Sequence, residues 1–285
     1  MISSTQEAAV LNHVSGSDVQ PDALSQRVQA TWTSGDFGRI AKGYERGAAE
    51  FIARLELERG ETILDVACGT GNLSLPAARV GASVTGIDIA PNLIAQAETN
   101  AASEGLHIDF EVGDAEQLPY SDGAFQTVVT MFGAMFAARP ERASAELLRA
   151  TRSGGRIAMA NWTPTGFVGE MLKTTVRFAP APAGVPSPLL WGTEDAVGER
   201  LGAGSTSLAF AKRLITFEYP MGPGEVVDHF RLWYGPTLRA FATLDETGRD
   251  GLRRELERLW TDHNLATDGT TRVMSEYLEV MAVVK

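Results

Sequence analysis

A glycine-rich turn directly after a short apolar run constrains this chain more than any other feature. Residues 62–66 (TILDV) predict a buried strand, and residues 67–71 (ACGTG) follow it at once. Asn72 comes next and is a residue type that begins helices. Glycines permit positive φ and leave the backbone open to a ligand, while the first N–H groups of a helix lack partners. The segment therefore predicts an α/β domain that binds a nucleotide-like ligand at this turn.

Strands and helices alternate regularly around the turn, which predicts a doubly wound, parallel sheet. We predict strands at residues 62–66, 83–88, 108–112, 125–131 and 156–161, with helices at 72–80, 91–103 and 140–150. We also predict helices within 21–58 (broken near Gly35), at 168–178 and within 224–265, and strands near 212–219 and at 277–284.

The pattern changes after residue 162, and a proline-rich segment at 179–188 predicts a surface loop. We therefore divide the chain into four parts. They are an N-terminal arm with lid helices (1–44), a Rossmann-like cofactor-binding core (45–162), a cap or substrate region with one core strand near 212–219 (163–270), and the last core strand (271–285).

Charge and composition exclude several classes of protein. The 285 residues carry a formal net charge of −11, and no run of Lys or Arg suits a phosphate backbone, so we expect no nucleic-acid partner. No stretch approaches the roughly 20 apolar residues of a membrane span, and residues 1–19 do not resemble a signal peptide. Cys68 is the one cysteine, and we find no metal-ligand spacing. We expect a cytoplasmic protein without a metal.

Carboxylates near the turn narrow the choice of ligand. A dinucleotide site has a glycine or alanine where this chain has Ser74. Asp65 is a poor neighbour for pyrophosphate but a good one for an ammonium group. Asp88 ends the next predicted strand and suits two ribose hydroxyls, which NAD and S-adenosylmethionine share. Asp114, after the third strand, can accept from an adenine amino group. These residues favour S-adenosylmethionine and leave an NAD-type oxidoreductase as the alternative.

Taken together, four segments resemble class I S-adenosylmethionine-dependent methyltransferases, nearest the branch of the ubiquinone and menaquinone C-methyltransferases. They are residues 64–71 (LDVACGTG), 86–88 (GID), 113–120 (GDAEQLPY) and 147–149 (LLR) followed by Gly154-Gly155. The resemblance covers residues 35–162. It implies a Rossmann-like, mostly parallel sheet of seven strands with an antiparallel last strand, and a helical cap.

The resemblance also implies the cofactor site, with S-adenosylmethionine as the cofactor. One departure from the family is Gln126, where an Asp is frequent, at a position that is structural. The implied contacts are Asp65, Ala67, Cys68, Gly69 and Gly71 for the methionine moiety, Asp88 for the ribose, Ile89, Asp114 and Ala115 for the adenine, and Met131 beside the reactive methyl group.

Methyl transfer from an activated donor depends mainly on positioning, so the sequence indicates the cofactor better than the acceptor. We expect an apolar or aromatic small molecule, methylated on O, N or C, in a pocket that excludes water. Candidate pocket residues are Phe132, Phe136, Trp162, Trp191, Trp233 and Tyr234, and each also suits the core of a cap.

Two side chains are candidate catalytic residues. Tyr44 lies, with Trp32 and Phe37, in a segment that resembles the N-terminal lid of many relatives, and His229 is the histidine best placed to accept a proton. A cofactor-binding protein without transferase activity stays an alternative, and the chain can be a monomer or a homodimer.

Overall fold

The computed structural model describes residues 22–181 and 184–285, so residues 1–21 of the predicted arm and lid region (1–44) lie outside them. Its centre is one sheet with the strand order β3-β2-β1-β4-β5-β7-β6. The strands are β1 (Thr62–Val66), β2 (Ser83–Asp88), β3 (Asp109–Val112), β4 (Phe125–Met131), β5 (Thr151–Trp162), β6 (Ser205–Tyr219) and β7 (Thr271–Val284). Strand β7 pairs antiparallel with β5 and β6, and β1 to β5 pair in parallel. The predicted fold class is confirmed.

Eleven helices flank this sheet in the described part of the chain. They are α1 (Ala23–Thr33), α2 (Phe37–Ala41), α3 (Glu45–Arg54), α4 (Ser74–Arg79), α5 (Pro91–Ser103), α6 (Pro140–Ala150), α7 (Phe167–Phe178), α8 (Glu194–Leu201), α9 (Pro223–Trp233), α10 (Gly235–Thr243) and α11 (Glu246–His263). Helices α7, α9, α10 and α11 pack on one another and form the cap, and α1 packs against α10.

The strand order reverses between β1 and β4, which both neighbour the centre of the sheet. Ligands of open α/β sheets bind at such a point, outside the carboxyl ends of the strands. Parallel pairing places the ends of β1, β2 and β4 at the same edge. The residues that follow these strands therefore converge on one site.

Of two predicted details near this edge, the structure differs from one and agrees with the other. Asn72 does not cap the helix after the turn, because α4 begins at Ser74 and its first side chain bonds Asp65 instead. The predicted break near Gly35 is present between α1 and α2. A Cβ atom at Gly35 would lie 2.2 Å from the Trp233 carbonyl oxygen, so close contact with the cap requires a glycine there.

The loops after β1 and β4 touch each other through residues with unusual backbone conformations. Ala67 and Phe132 both have φ = 57°, which is costly for residues other than glycine and is typical of functional sites. Next to Phe132, Gly133 lies so close to the first loop that a Cβ atom would come within 2.6 Å of Ala67 Cβ and 2.7 Å of its carbonyl oxygen.

We expect Gly133→Ala to destabilise the protein by about 1–3 kcal/mol, because the added methyl group meets backbone that has little room to shift. The matched control is Gly198→Ala in α8, where a Cβ meets no atom within 4 Å and helix propensity predicts a gain of about 0.5–1 kcal/mol. Urea unfolding of the three proteins measures both effects. Equal stabilities of the two variants would contradict this account of the loop contact.

Candidate active site

Asp65 lies at the carboxyl end of β1, fully inside the protein. Its Oδ2 accepts a hydrogen bond of 2.6 Å from the Ser74 hydroxyl at the start of α4. Burial raises the pKa of the Asp65 carboxyl to about 7, with a smaller contribution from the nearby Asp88 and an opposing effect of the hydrogen bonds from Ser74. A buried carboxylate without a cationic partner is costly, so this position suits a ligand that carries a positive charge.

Asp88 fixes the glycine turn to the end of β2. Its Oδ2 accepts from the Gly69 amide at 2.9 Å, and its Oδ1 accepts from the Ala90 amide at the same distance. Burial raises the pKa of this carboxyl group, and the amide hydrogen bonds oppose the rise. Each carboxylate oxygen can accept more than one hydrogen bond, so Asp88 keeps capacity for hydroxyl groups of a ligand.

A cavity of about 670 Å³, counted with its mouth, runs from the glycine turn past β2 and β3 to the loop after β4. Asp114 closes a short turn there, since its Oδ1 accepts from the Glu116 amide at 2.9 Å. Of the predicted cofactor residues, the structure brings these to the cavity wall: Ala67, Gly69, Asp88, Ile89, Asp114, Ala115 and Met131. We call it the cofactor cavity.

A smaller adjoining cavity continues the cofactor cavity toward β1, and both are lined by Ala67, Gly69 and Met131. Asp65 and Cys68 also line the smaller cavity, and burial raises the pKa of the Cys68 thiol. Gly71 lies apart from both cavities. Its φ is 88°, and a Cβ atom added at this position would clash with Leu75 Cδ1. Gly71 therefore shapes the turn.

The predicted lid helices contribute residues to the cofactor cavity that the sequence analysis does not name. Ser25 and Val28 of α1 line the cavity together with Trp32, Phe37 and Glu116. The Gln29 side chain of α1 donates to the Ile89 carbonyl oxygen at 3.0 Å, and Arg139 bridges Asp22 and Glu116. No local motif marks these residues. Helix α1 is polar, so its sequence does not show which surface of the protein it packs against.

A third cavity, of about 310 Å³ counted with its mouth, lies beyond Phe132 and is lined by aromatic and aliphatic side chains. We call it the aromatic cavity. Phe132 and Phe37 line it as well as the cofactor cavity, and the Phe132 ring stacks on Trp162 with the centroids 3.4 Å apart. Its walls are Trp32, Phe37, Ile40, Tyr44, Phe132, Trp162, Val168, Met171, Phe217, Phe230 and Tyr234.

The predicted acceptor residues divide between these cavities and other places. Tyr44, Phe132, Trp162 and Tyr234 meet in the aromatic cavity, whereas Phe136 lines the cofactor cavity. Trp191 lies outside both, buried with the Arg200 guanidinium 4.5 Å from its ring.

His229 and Trp233 are not brought to either cavity. His229 Nε2 lies 3.4 Å from the Arg39 carbonyl oxygen in an outer, polar groove, and the Arg39 guanidinium covers the Trp233 ring. The reason is the phase of α9 and its C-cap: Phe230 and Tyr234, four residues apart, face the cavity, so the preceding residue of each lies on the neighbouring stripe. The predicted roles of His229 in catalysis and of Trp233 in the acceptor pocket stay predictions.

Comparisons with known proteins identify the class of molecule. A family model described as a methyltransferase domain matches residues 63–155. Rv1403c of Mycobacterium tuberculosis, described as an uncharacterized protein, is 36% identical over 218 residues, which are 76% of this chain and 80% of the relative. A demethylmenaquinone methyltransferase of Thermus thermophilus is 41% identical over 39% of this chain and 51% of its own length.

A solved structure agrees with this at the level of the fold. The phosphoethanolamine N-methyltransferase 2 of Haemonchus contortus, in complex with S-adenosyl-L-methionine, has a TM-score of 0.53 at 18% identity and covers 84% of this chain and 52% of that one. The chain belongs to the S-adenosylmethionine-dependent methyltransferases. Over most of its length, the chain is related to Rv1403c. These findings confirm the predicted enzyme class and cofactor over the NAD-type alternative.

The residues present fit this cofactor. S-adenosylmethionine carries an ammonium and a sulfonium group, and Asp65 and Asp88 supply two buried carboxylates without a cationic side chain in either cavity that they line. Positive φ at Ala67 and Gly69 turns the backbone toward the cavity. When bound, the cofactor supplies an activated methyl group.

Two features are absent from residues 22–181 and 184–285. In that part of the chain, no helix has the length and hydropathy to cross a membrane. The same residues contain no group of three or more His, Cys, Asp or Glu side chains that could hold a metal ion.

We expect Asp65→Asn to stabilise the cofactor-free protein above neutral pH and to have little effect in acid. The folded-state pKa of about 7 lies above the ordinary value of 3.8, so stability present below the ordinary value is lost as the pH rises to 7. The full loss is of the order of a few kcal/mol. Urea unfolding of both proteins in acidic and mildly alkaline buffer measures it, and a pH-independent difference would contradict it.

Proposed function

We propose that this enzyme methylates an apolar or aromatic small molecule that binds in the aromatic cavity. The observation that carries the proposal is the composition of the cavity wall: eight of its eleven residues are aromatic and the other three are Ile40, Val168 and Met171. Such a wall favours a flat, apolar ligand and excludes water. Because Phe132 and Phe37 also line the cofactor cavity, an acceptor there lies beside the cofactor.

The geometry supports a role for each part of the cofactor cavity. Asp65 faces the ammonium group of the methionine moiety, and Asp88 accepts from the ribose hydroxyls while it holds the Gly69 amide. Asp114 and the Ala115 backbone contact the adenine. Ile89 packs on the adenine ring, and Cys68 and Met131 line the space toward the reactive methyl group.

In this proposal, catalysis rests on positioning. The aromatic cavity holds the nucleophile close to the methyl group in a dry site, which converts a bimolecular step into an effectively unimolecular one. Tyr44 touches both the smaller cavity and the aromatic cavity, so it lies at the junction of cofactor and acceptor. The acidic composition of the chain supports a small-molecule acceptor over a nucleic acid. The oligomeric state, monomer or homodimer, stays a prediction.

We expect Asp88→Ala to weaken binding of S-adenosylhomocysteine by about 10-fold or more, because hydrogen bonds to a buried charged group contribute about 1.5–3 kcal/mol. Asp122→Ala is the control, since this carboxylate is exposed and pairs with Arg149 at the surface. Isothermal titration gives both dissociation constants. Unchanged affinity in Asp88→Ala would show that Asp88 does not bind the ribose.

We expect Val168→Phe to abolish methyl transfer and to leave the affinity for S-adenosylhomocysteine unchanged. Val168 lines the aromatic cavity and neither of the other two cavities. A larger side chain at this position fills the space of an acceptor. A radiolabelled methyl donor and a panel of acceptors graded from naphthols to amino sugars measure the transfer, with thermal unfolding as the check on folding. Labelling of only the polar members would overturn the proposed acceptor class.

A further inference from the structure

Three polar groups belong to residues that line the aromatic cavity and make no hydrogen bond with residues 22–181 or 184–285. They are the hydroxyl groups of Tyr44 and Tyr234 and the indole N–H of Trp162. The residues themselves are buried, with 5%, 5% and 4% of their surface exposed. None of the three polar atoms is among the fully enclosed, unpaired atoms of the described residues, so each keeps some surface open to a neighbouring space. All three groups lie in the wall of the same cavity.

Other buried tyrosines of this chain follow the usual rule. The Tyr219 hydroxyl donates to the Ile40 carbonyl oxygen at 3.0 Å, and the Tyr277 hydroxyl accepts from the Arg54 guanidinium at 2.7 Å. Neither residue lines the aromatic cavity. The hydroxyl groups of these two packed tyrosines therefore have hydrogen-bond partners within the protein, whereas those of Tyr44 and Tyr234, which line the aromatic cavity, have none in the described part of the chain.

The unpaired groups define what the cavity can recognise. An indole N–H only donates, and burial raises the pKa of both tyrosines, so the phenols stay neutral and keep their protons. The wall has no carboxylate, histidine, lysine or arginine side chain. The cavity thus offers hydrogen-bond donors to a ligand oxygen and lacks a base that can take a proton from the ligand.

Proton balance then limits the acceptor. Transfer to a nucleophile uses one lone pair or carbanion pair of the acceptor and leaves the electrons of the broken carbon–sulfur bond on sulfur. An acceptor with an O–H or an enol must also give up one proton. With no base in the wall, that proton leaves to solvent before the acceptor is enclosed.

We propose that the acceptor is a phenol or an enol that binds as its oxyanion, with the oxygen held by hydrogen bonds that Tyr44 and Tyr234 donate. The inference rests on the proposed function, because it concerns the same cavity. Two neutral phenol donors offset the desolvation of the oxyanion, as preorganised donors do at sites of developing charge. The positive charge of the cofactor next to the cavity adds to this stabilisation.

The test uses 4-nitrophenol, which ionises near neutral pH, and nitrobenzene, which matches its ring but lacks the hydroxyl oxygen. Each is titrated calorimetrically into the enzyme saturated with sinefungin, an unreactive cofactor analogue with a positive charge at the methyl position. The variants are Tyr44→Phe and Tyr234→Phe. The control is Tyr219→Phe, which removes the same atom from a buried tyrosine outside the cavity.

We expect the wild-type enzyme to bind 4-nitrophenolate at least 10-fold more tightly than nitrobenzene, and to keep its yellow phenolate absorbance on binding. Tyr44→Phe and Tyr234→Phe each lower the affinity for 4-nitrophenolate by about 5-fold or more and leave that for nitrobenzene within about 2-fold. Tyr219→Phe leaves both unchanged.

Two other results would overturn the proposals, and they are distinguishable. If the two ligands bind equally tightly, or if both cavity variants weaken them equally, the oxyanion proposal is wrong while the apolar acceptor site stands. If neither ligand binds although sinefungin does, the proposed function is wrong as well. Thermal unfolding of each variant separates these results from loss of folding.

Discussion

The hydrogen bond between the Asp88 carboxylate and the Gly69 amide is the interaction on which the site depends. It joins the turn after β1 to the end of β2 and so gives the turn a fixed shape from inside the protein. A second carboxylate, Asp65, lies close enough for the charge of Asp88 to raise its pKa. Two buried carboxylates in one site are costly unless a cation joins them. The cofactor-free enzyme thus stores an electrostatic cost that a cationic cofactor relieves, which makes affinity and stability opposing demands on Asp65.

The two halves of the site differ in chemistry, and Phe132 lies between them. On the cofactor side, carboxylates and backbone groups surround the cavity, whereas on the other side the wall is aromatic and aliphatic. Phe132 has a positive φ, and its ring stacks on Trp162 and borders both spaces. Backbone strain of this kind persists only where surrounding contacts determine it. We interpret it as the consequence of placing one aromatic ring between a polar cofactor and an apolar acceptor.

Sequence reasoning located residues of the cofactor cavity wall where they lie close to the ends of strands. Asp88 ends β2, and Ala67, Gly69 and Asp114 lie within three residues after β1 or β3, so strand order and parallel pairing bring them to one edge of the sheet. It did not locate residues whose position depends on which face of a helix they occupy or on where that helix packs. His229 and Trp233 are one residue from Phe230 and Tyr234, yet α9 turns them to another side. Ser25 and Val28 reach the cofactor cavity through a lid whose docking depends on long-range contacts.

The same contrast explains why the acceptor is harder to predict than the cofactor. Residues 65–71, 88 and 114–115 form three short segments whose backbone conformation carries much of the recognition, which constrains their sequence strongly. The wall of the aromatic cavity instead draws one or two side chains each from α1, α2, β5, β6, α7 and α9, and others from loops between elements. Replacing one aromatic residue there changes the shape of the cavity and leaves the cofactor site intact. A fold built this way can change its acceptor by a few substitutions, and the unpaired hydroxyls of Tyr44 and Tyr234 are then the part of the wall that specifies chemistry rather than shape.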